Sequence, residues 1–296
     1  MIYKIIHTTT YNYEENVELC HNQLRLQPRN FEGQLLLDYN LQISPKPSDF
    51  HNHLDYFSNN VTFFSIQFPH NELIVCSEST VKRDSVEYDI LSEGFKISIK
   101  SAKEYLQHNS NEINDARQYL FRSKYISLLP QVFDYAKLSY SRNRGVFDAT
   151  LELIQRIYQD FSFVSGFTSI ATPLEQVFEE KKGVCQDFAH FAIACLRTVG
   201  LPARYVSGYI ETIPPNGEKK LVGADASHAW FSVYIPFIGW IDFDPTNNLL
   251  VKNQHVTIGW GSDYFDIIPV KGVVFSSGKS TLKVSVDMFK IQEFGG

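Results

Sequence analysis

Along residues 1–95, apolar positions recur in short runs broken by turn formers. Ile2, Ile5 and Ile6 open the first run, Leu24, Leu26 and residues 34–41 continue it, and residues 61–68 (VTFFSIQF), 72–75, 86–90 and 95–99 follow. Pro28, Gly33, Pro45, Pro47, Asn59-Asn60 and Pro69 fall between them. Short apolar runs at near-regular spacing, with turn signals between, predict a small sheet or sandwich. From residue 101 to 180 the period changes. Residues 114–121, 128–139 and 147–160 carry apolar positions at helical spacing, clearest in Phe147, Leu151, Ile154, Ile157 and Tyr158. Thr172-Pro173-Leu174-Glu175 reads as a helix start, with Thr172 as cap, and Lys181-Lys182-Gly183 as its stop.

The strongest helical pattern is residues 186–199 (QDFAHFAIACLRTV), ended by Gly200-Leu201-Pro202. A helix beginning at Cys185 places its thiol where free backbone N–H groups converge and the macrodipole is positive. That placement stabilises negative charge on sulfur, the form in which cysteine attacks carbon. Cys195 lies mid-helix among Ile193, Ala194 and Leu196 and reads as a packed core thiol; Cys20 and Cys76 have no activating neighbours.

Residues 203–212 read as a buried strand bending at Gly208, and Pro214-Pro215-Asn216-Gly217 as a turn. Residues 225–235 alternate, placing His228, Trp230, Ser232 and Tyr234 on one face. After the turn at 236–239, Trp240, Asp242 and Asp244 share a face of the returning strand. His228 and Asp244 become close neighbours on one face only if the pairing sum is even. A two-residue turn gives an odd sum, so a three- or five-residue loop or a bulge is expected. Asp242, two residues back on the same face, competes for the role of orienting acid. His190, inside the helix and pointing away from its start, is a poor base. Taken singly, each residue has a plain structural reading: a core thiol, a satisfied histidine, a turn aspartate.

Composition narrows the classes. At 296 residues the length suits about two domains, here 1–100, β-rich, and 101–296, a helical segment with a core and C-terminal strands. The net charge of −6 gives no basic footprint for nucleic acid or an anionic membrane. Four scattered cysteines make no disulfide framework. The first residues lack the basic and continuously apolar regions of a signal peptide, and no run approaches the ~20 apolar residues of a membrane helix, so the cytoplasm is the expected compartment. His51 and His53 near Asp55 lack further ligands at metal spacing, so neither metal nor cofactor is expected.

Together Gly-Val-Cys-Gln-Asp-Phe-Ala-His at 183–190, Asp-Ala-Ser-His-Ala-Trp at 225–230 and Trp-Ile-Asp-Phe-Asp-Pro-Thr-Asn-Asn at 240–248 resemble the three blocks of the bacterial transglutaminase-like core. Arg204-Tyr205-Val206-Ser207-Gly208-Tyr209 is similar to the strand between the first two blocks. Leu24-Arg25-Leu26-Gln27-Pro28, Asp55-Tyr56-Phe57 and Phe68-Pro69-His70 resemble the β-rich region that often precedes that core. The resemblance implies an α+β, papain-like fold and a Cys-His-Asp triad of Cys185, His228 and Asp244, supported by Gln186, Asp187, Trp230 and Asp242. It implies acyl transfer from a peptide or protein substrate through a thioester. Hydrolysis, as in a cysteine protease or amidase, is the first reading. Glutamine transfer to an amine, a glycan-amidase reaction and a non-catalytic binding module are the alternatives. No acidic cluster resembles the calcium sites of animal transglutaminases.

Overall fold

Alternating burial along the first strands matches the alternation in the sequence: β1 (Ile2–Val17) turns every second residue of its first half into a core. The computed structural model describes residues 1–84, 93–212, 226–275 and 278–291. After β1 come β2 (Leu19–Leu24), β3 (Gln34–Ser44), β4 (Asp49–Leu54), β5 (Asn60–Ile66) and β6 (His70–Arg83). Helices α1 (Ile99–Tyr105), α2 (Asn111–Arg117), α3 (Pro130–Ala136) and α4 (Val146–Asp160) follow. Next are β7 (Ser162–Phe163), α5 (Leu174–Glu180), β8 (Lys182–Gly183) and α6 (Cys185–Thr198). The chain closes with β9 (Ala203–Ile210), β10 (Ala226–Ile235), β11 (Gly239–Asp244), β12 (Leu249–Leu250), β13 (His255–Gly261), β14 (Val270–Phe275) and β15 (Ser280–Ile291).

Among the described residues three antiparallel sheets result, ordered β15-β1-β6-β3, β14-β2-β5-β4 and β12-β11-β10-β9-β13. Mixed helices and antiparallel sheets make the fold α+β, as the sequence implied. The last two strands belong to the first two sheets: β15 pairs along β1 from Ile2↔Ile291 to Tyr13↔Ser280, and β14 pairs with β2.

Helix α6 is the axis of the main core. Its residues 187–197 are all buried, against α3, α4 and α5 and against β9 and β10. Ala189, Ala192 and Ala194 keep its surface small, so Phe161, Phe178 and Phe191 pack ring against ring beside it. A helix apolar on every side stays in place only when enclosed like this.

The third sheet docks on the first through one apolar cluster that joins Tyr3, Ile5, Val81, Val286 and Met288 to Tyr209, Val256 and Ile258. Strand β13 is the outer strand of the third sheet, so half its backbone groups lack a strand partner. Two buried amides supply the missing bonds. Gln34 accepts from Thr257 N–H (2.8 Å) and donates to Thr257 C=O (2.7 Å). Asn59 does the same for Trp260, at 3.0 and 2.8 Å. Gly208 pairs with His228 on one side and Thr257 on the other. A Cβ there would lie 2.0 Å from the Val256 carbonyl oxygen and 2.6 Å from the Trp230 ring, so only glycine lets these strands close.

Three local expectations are corrected. Residues 95–99 are not a strand: a 3-10 turn at Glu93–Lys96 leads into α1, which the Ser98 hydroxyl caps by accepting from Ser101 N–H. Thr172 does not cap α5; its hydroxyl accepts from Ser169 N–H, and Pro173 precedes the first turn. The residue in left-handed conformation after α5 is Lys181 (φ 53°), not Gly183. The expected strand at 86–90 and turn at 214–217 lie outside the described residues. Among the described residues no helix is long and apolar enough to cross a membrane.

Replacing Gln34 with Ala strands both backbone groups of Thr257 away from water. We expect a loss of about 1–3 kcal/mol in urea-unfolding stability. An unchanged midpoint and slope would contradict the bridging role given to this amide.

Candidate active site

Cys185 is the first residue of α6, with Val184 extended before it. The entry is fixed by Asp187, in the third helical position: its Oδ2 accepts from Val184 N–H (2.8 Å) and from the Thr168 hydroxyl (2.6 Å). Burial raises the Asp187 pKa, and those two hydrogen bonds oppose the rise. Gly183 lies against the same carboxylate, and a Cβ there would come 2.8 Å from it. The Cys185 thiol is half-buried at the helix tip, and Gln186 beside it is half-buried with no side-chain hydrogen bond among the described residues. Backbone N–H groups of a first helical turn have no intrahelical acceptor, so that of Cys185 is free to donate outward.

His228 sits on β10 and is 7% exposed; Asp244 ends β11 and is fully buried. Register Phe231↔Phe243 through Ile235↔Gly239 leaves a three-residue loop, Pro236-Phe237-Ile238, so the pairing sum is even and both side chains share a face. Phe237 (φ 72°) in that loop and Gly239 (φ 95°) directly after it supply the left-handed conformations of the turn. His228 Nε2 lies 2.7 Å from Asp244 Oδ2. Cys185 is the other group whose proximity raises the His228 pKa, and with Nε2 committed to Asp244 the nitrogen left to face the sulfur is Nδ1. Burial works against the imidazolium, yet the bonds and charges of Asp244 and Cys185 outweigh it and raise the His228 pKa to about 10.

Asp244 collects five donors. Oδ1 accepts from Thr246 N–H (3.0 Å) and Asn247 N–H (3.2 Å). Oδ2 accepts from His228, from Asn247 Nδ2 (2.7 Å) and from His255 Nε2 (3.1 Å). Burial alone would raise its pKa, but the two imidazoles hold it well below the usual carboxylate range. Burial lowers the His255 pKa in spite of Asp244, so His255 is a neutral donor. His228, Asp244 and His255 are also the one group of metal-ligating atoms clustered among the described residues. The hydrogen bonds between them account for that closeness.

The other sequence candidates fall elsewhere. Asp242 does not reach His228: it accepts from Trp230 Nε1 (3.1 Å) and from the Ser232 hydroxyl. Trp230 is fully buried, with its ring 6.1 Å from that of His228 and 5.0 Å from that of His255. His190 accepts from Tyr264 N–H (3.2 Å), and burial lowers its pKa to about 4. Burial pushes the Cys195 and Cys20 thiols upward. Asp55 is taken by Arg25 and by its own loop, not by His51 and His53. His255 and Asn247 were not singled out in the sequence. Asn247 stood within the third motif block, but His255 comes from a strand that carries none of the three blocks.

A thiol at a helix tip, an imidazole and a buried carboxylate thus lie in succession, an arrangement suited to passing a proton between sulfur and an attacked group. A family profile described as "Transglutaminase-like superfamily" matches residues 134–245, and one described as "Bacterial transglutaminase-like N-terminal region" matches residues 3–82. The uncharacterized protein Rv2569c of Mycobacterium tuberculosis is 34% identical over 303 residues, covering 97% of this chain and 92% of that protein. A protein-glutamine gamma-glutamyltransferase of Pseudomonas aeruginosa is 37% identical over 71 residues, 24% of this chain and 11% of that protein. The crystal structure of a "Putative Cysteine Protease from Cytophaga hutchinsonii" superposes with a TM-score of 0.78 at 23% identity, covering 99% of this chain and 92% of that one. With its core, its preceding β-rich region and its overall fold all matched, the chain belongs to the transglutaminase-like superfamily.

Proposed function

We propose that this protein is an acyl-transfer enzyme with Cys185 as nucleophile, His228 as general base and acid, and Asp244 as the group that orients His228. The observation that carries this reading is the His228 ring, hydrogen-bonded to the buried carboxylate of Asp244 and near enough to Cys185 for that residue to raise its pKa. The sulfur of Cys185, its proton passed to His228, attacks an amide carbon, and the S–C bond forms as the carbonyl π pair moves to oxygen. The free N–H of Cys185 donates to that oxyanion. Collapse expels the amine, which takes its proton from the His228 imidazolium, and leaves a thioester. Water then attacks the thioester carbon while His228 accepts its proton. The S–C bond breaks, giving a carboxylic acid and the starting pair.

The substrate in this reading is a peptide or protein amide, and the acceptor is water, as in a peptidase or amidase. The relative named as a protein-glutamine gamma-glutamyltransferase supports a second acceptor, a primary amine, at the same thioester. Offering a glutamine-containing peptide with and without a labelled amine separates the two: free acid alone indicates hydrolysis, and label in the peptide indicates transfer.

Iodoacetamide is expected to modify Cys185 far faster than Cys20, Cys76 and Cys195 by peptide mapping. Cys185→Ala should keep its thermal transition and lose all turnover. Equal labelling of the four thiols, or activity surviving in the Ala variant, would falsify the nucleophile assignment.

The raised His228 pKa sets a pH limit. The imidazolium persists until the solution approaches pH 10, so kcat/KM should hold through neutral pH and fall on the alkaline side near 10. The Asp244→Asn variant should shift that limb to lower pH and cut kcat by about 10³–10⁴. A limb that stays in place in this variant would show that Asp244 does not govern His228.

A further inference from the structure

Two of the three tryptophans in the chain line a cleft of about 340 Å³ where the N-terminal sheets, α2 and the third sheet meet. Its walls hold an unusual stack. The Arg29 guanidinium carbon is 3.4 Å from the centre of the Trp260 ring, and that of Arg204 is 3.7 Å from the same ring. Two planar cations at such distances fit only on opposite faces of one indole. Arg204 is in turn 4.3 Å from the centre of the Trp240 ring, so its guanidinium lies between two indoles. Stacking of this kind holds the planar fork rigid and leaves its edge free.

The edge is what lacks partners. Arg204 is 9% exposed and lines the cleft. Its Nε donates to the Ser232 hydroxyl (3.3 Å), while its two Nη groups have no hydrogen-bond acceptor among the described residues. Asp242 lends Arg204 a nearby negative charge, but its oxygens are taken by Trp230 and Ser232. Arg29 spends Nη1 on Phe57 C=O (3.0 Å) and Asn59 Oδ1 (2.8 Å), and its Nη2 has no acceptor among the described residues. Burial lowers both arginines to about 10, so both are charged at neutral pH. Tyr119 stands beside them, its ring 5.2 Å from Trp240, with no hydrogen bond from its hydroxyl among the described residues. Asp115 is the one acidic residue among those that line the cleft.

Held by the stacked indoles and facing the cleft, these charged N–H donors are positioned to bond a ligand that enters it. We propose that this cleft is a carboxylate-binding site, with Arg204 and Arg29 donating to a ligand carboxylate and Trp240 and Trp260 flanking it. A flat, two-oxygen acceptor matches guanidinium edges better than a tetrahedral anion does. Asp115 disfavours multiply charged anions and accepts an ammonium on the same ligand. The chemistry is that of a free peptide C terminus or of a small free carboxylic acid. The site is separate from the thiol: Arg204 pairs across the strands with Ser232, four residues along β10 from His228, or roughly 13 Å. Its assignment therefore does not depend on the catalytic reading.

Trp240 and Trp260 provide the readout, since Trp230 is fully buried away from solvent. The Cys185→Ala protein, which cannot consume a peptide, is titrated while tryptophan fluorescence is followed. The probes are an acetylated tripeptide with a free C terminus, the same peptide amidated, acetate, and inorganic phosphate. Saturable change with the free-terminus peptide and none with its amide is expected, and saturation with acetate as well would identify the small acid as sufficient. Arg29→Gln, less buried and gentler on folding than changes at Arg204, should weaken binding at least about tenfold. Arg204→Lys keeps charge but not the fork and should weaken it similarly, with thermal melts confirming folding. Identical titrations with acid and amide, tighter binding of phosphate than of any carboxylate, or no response at millimolar probe would overturn the proposal.

Discussion

A carboxylate with no exposed surface is expensive to bury, and the protein meets that expense by surrounding Asp244 with five donors. Those donors come from β10, from the turn after β11, and from β13. Their geometry fixes more than the carboxylate: it sets where β11 ends, how the chain turns at Thr246 and Asn247, and which nitrogen of His228 is left for sulfur. Removing any one donor leaves the others to hold a buried charge with less help. The site is therefore cooperative, and its members cannot be exchanged singly without cost.

His255 ties this centre to the region before it. The strand that carries it, β13, is the outer strand of its sheet, and its free edge is completed by Gln34 and Asn59 from the N-terminal sheets. The β-rich region thus does more than precede the core. It completes the backbone of the strand that delivers one of the two imidazoles to Asp244. The cleft between Arg29 and Arg204 lies along the same seam, again with one wall from each side.

Much of this was legible in the residues. Helix α6, strands β9 to β11 and the placement of Cys185 at a helix start followed from period, and parity narrowed the hairpin to a three- or five-residue loop or a bulge, of which the three-residue loop is found. What escaped was mostly non-local. His255 gave no signal because its meaning comes from a carboxylate eleven residues earlier that only folding brings near. Gln34 and Asn59 look like ordinary polar strand-end residues until a distant edge strand needs their amides. The strand expected at 95–99 failed for a local reason: Ser98 offers a helix cap, and an apolar run too short to set a period did not reveal it. Asp242 and Asp244 shared a face in the sequence, and only the partners of each, Trp230 and Ser232 for one and His228 for the other, tell them apart.

Strand β1 finds one neighbour, β6, within the first 83 residues, while its other neighbour, β15, begins only at Ser280. During synthesis the ribosome must deliver every residue up to β15 before that side of β1 can be covered. Until then a long row of unsatisfied amide and carbonyl groups faces solvent, the kind of surface to which another nascent chain can add. Folding of this protein is accordingly coupled to the synthesis of β15, and its exposure to mispairing is greatest just before that strand arrives.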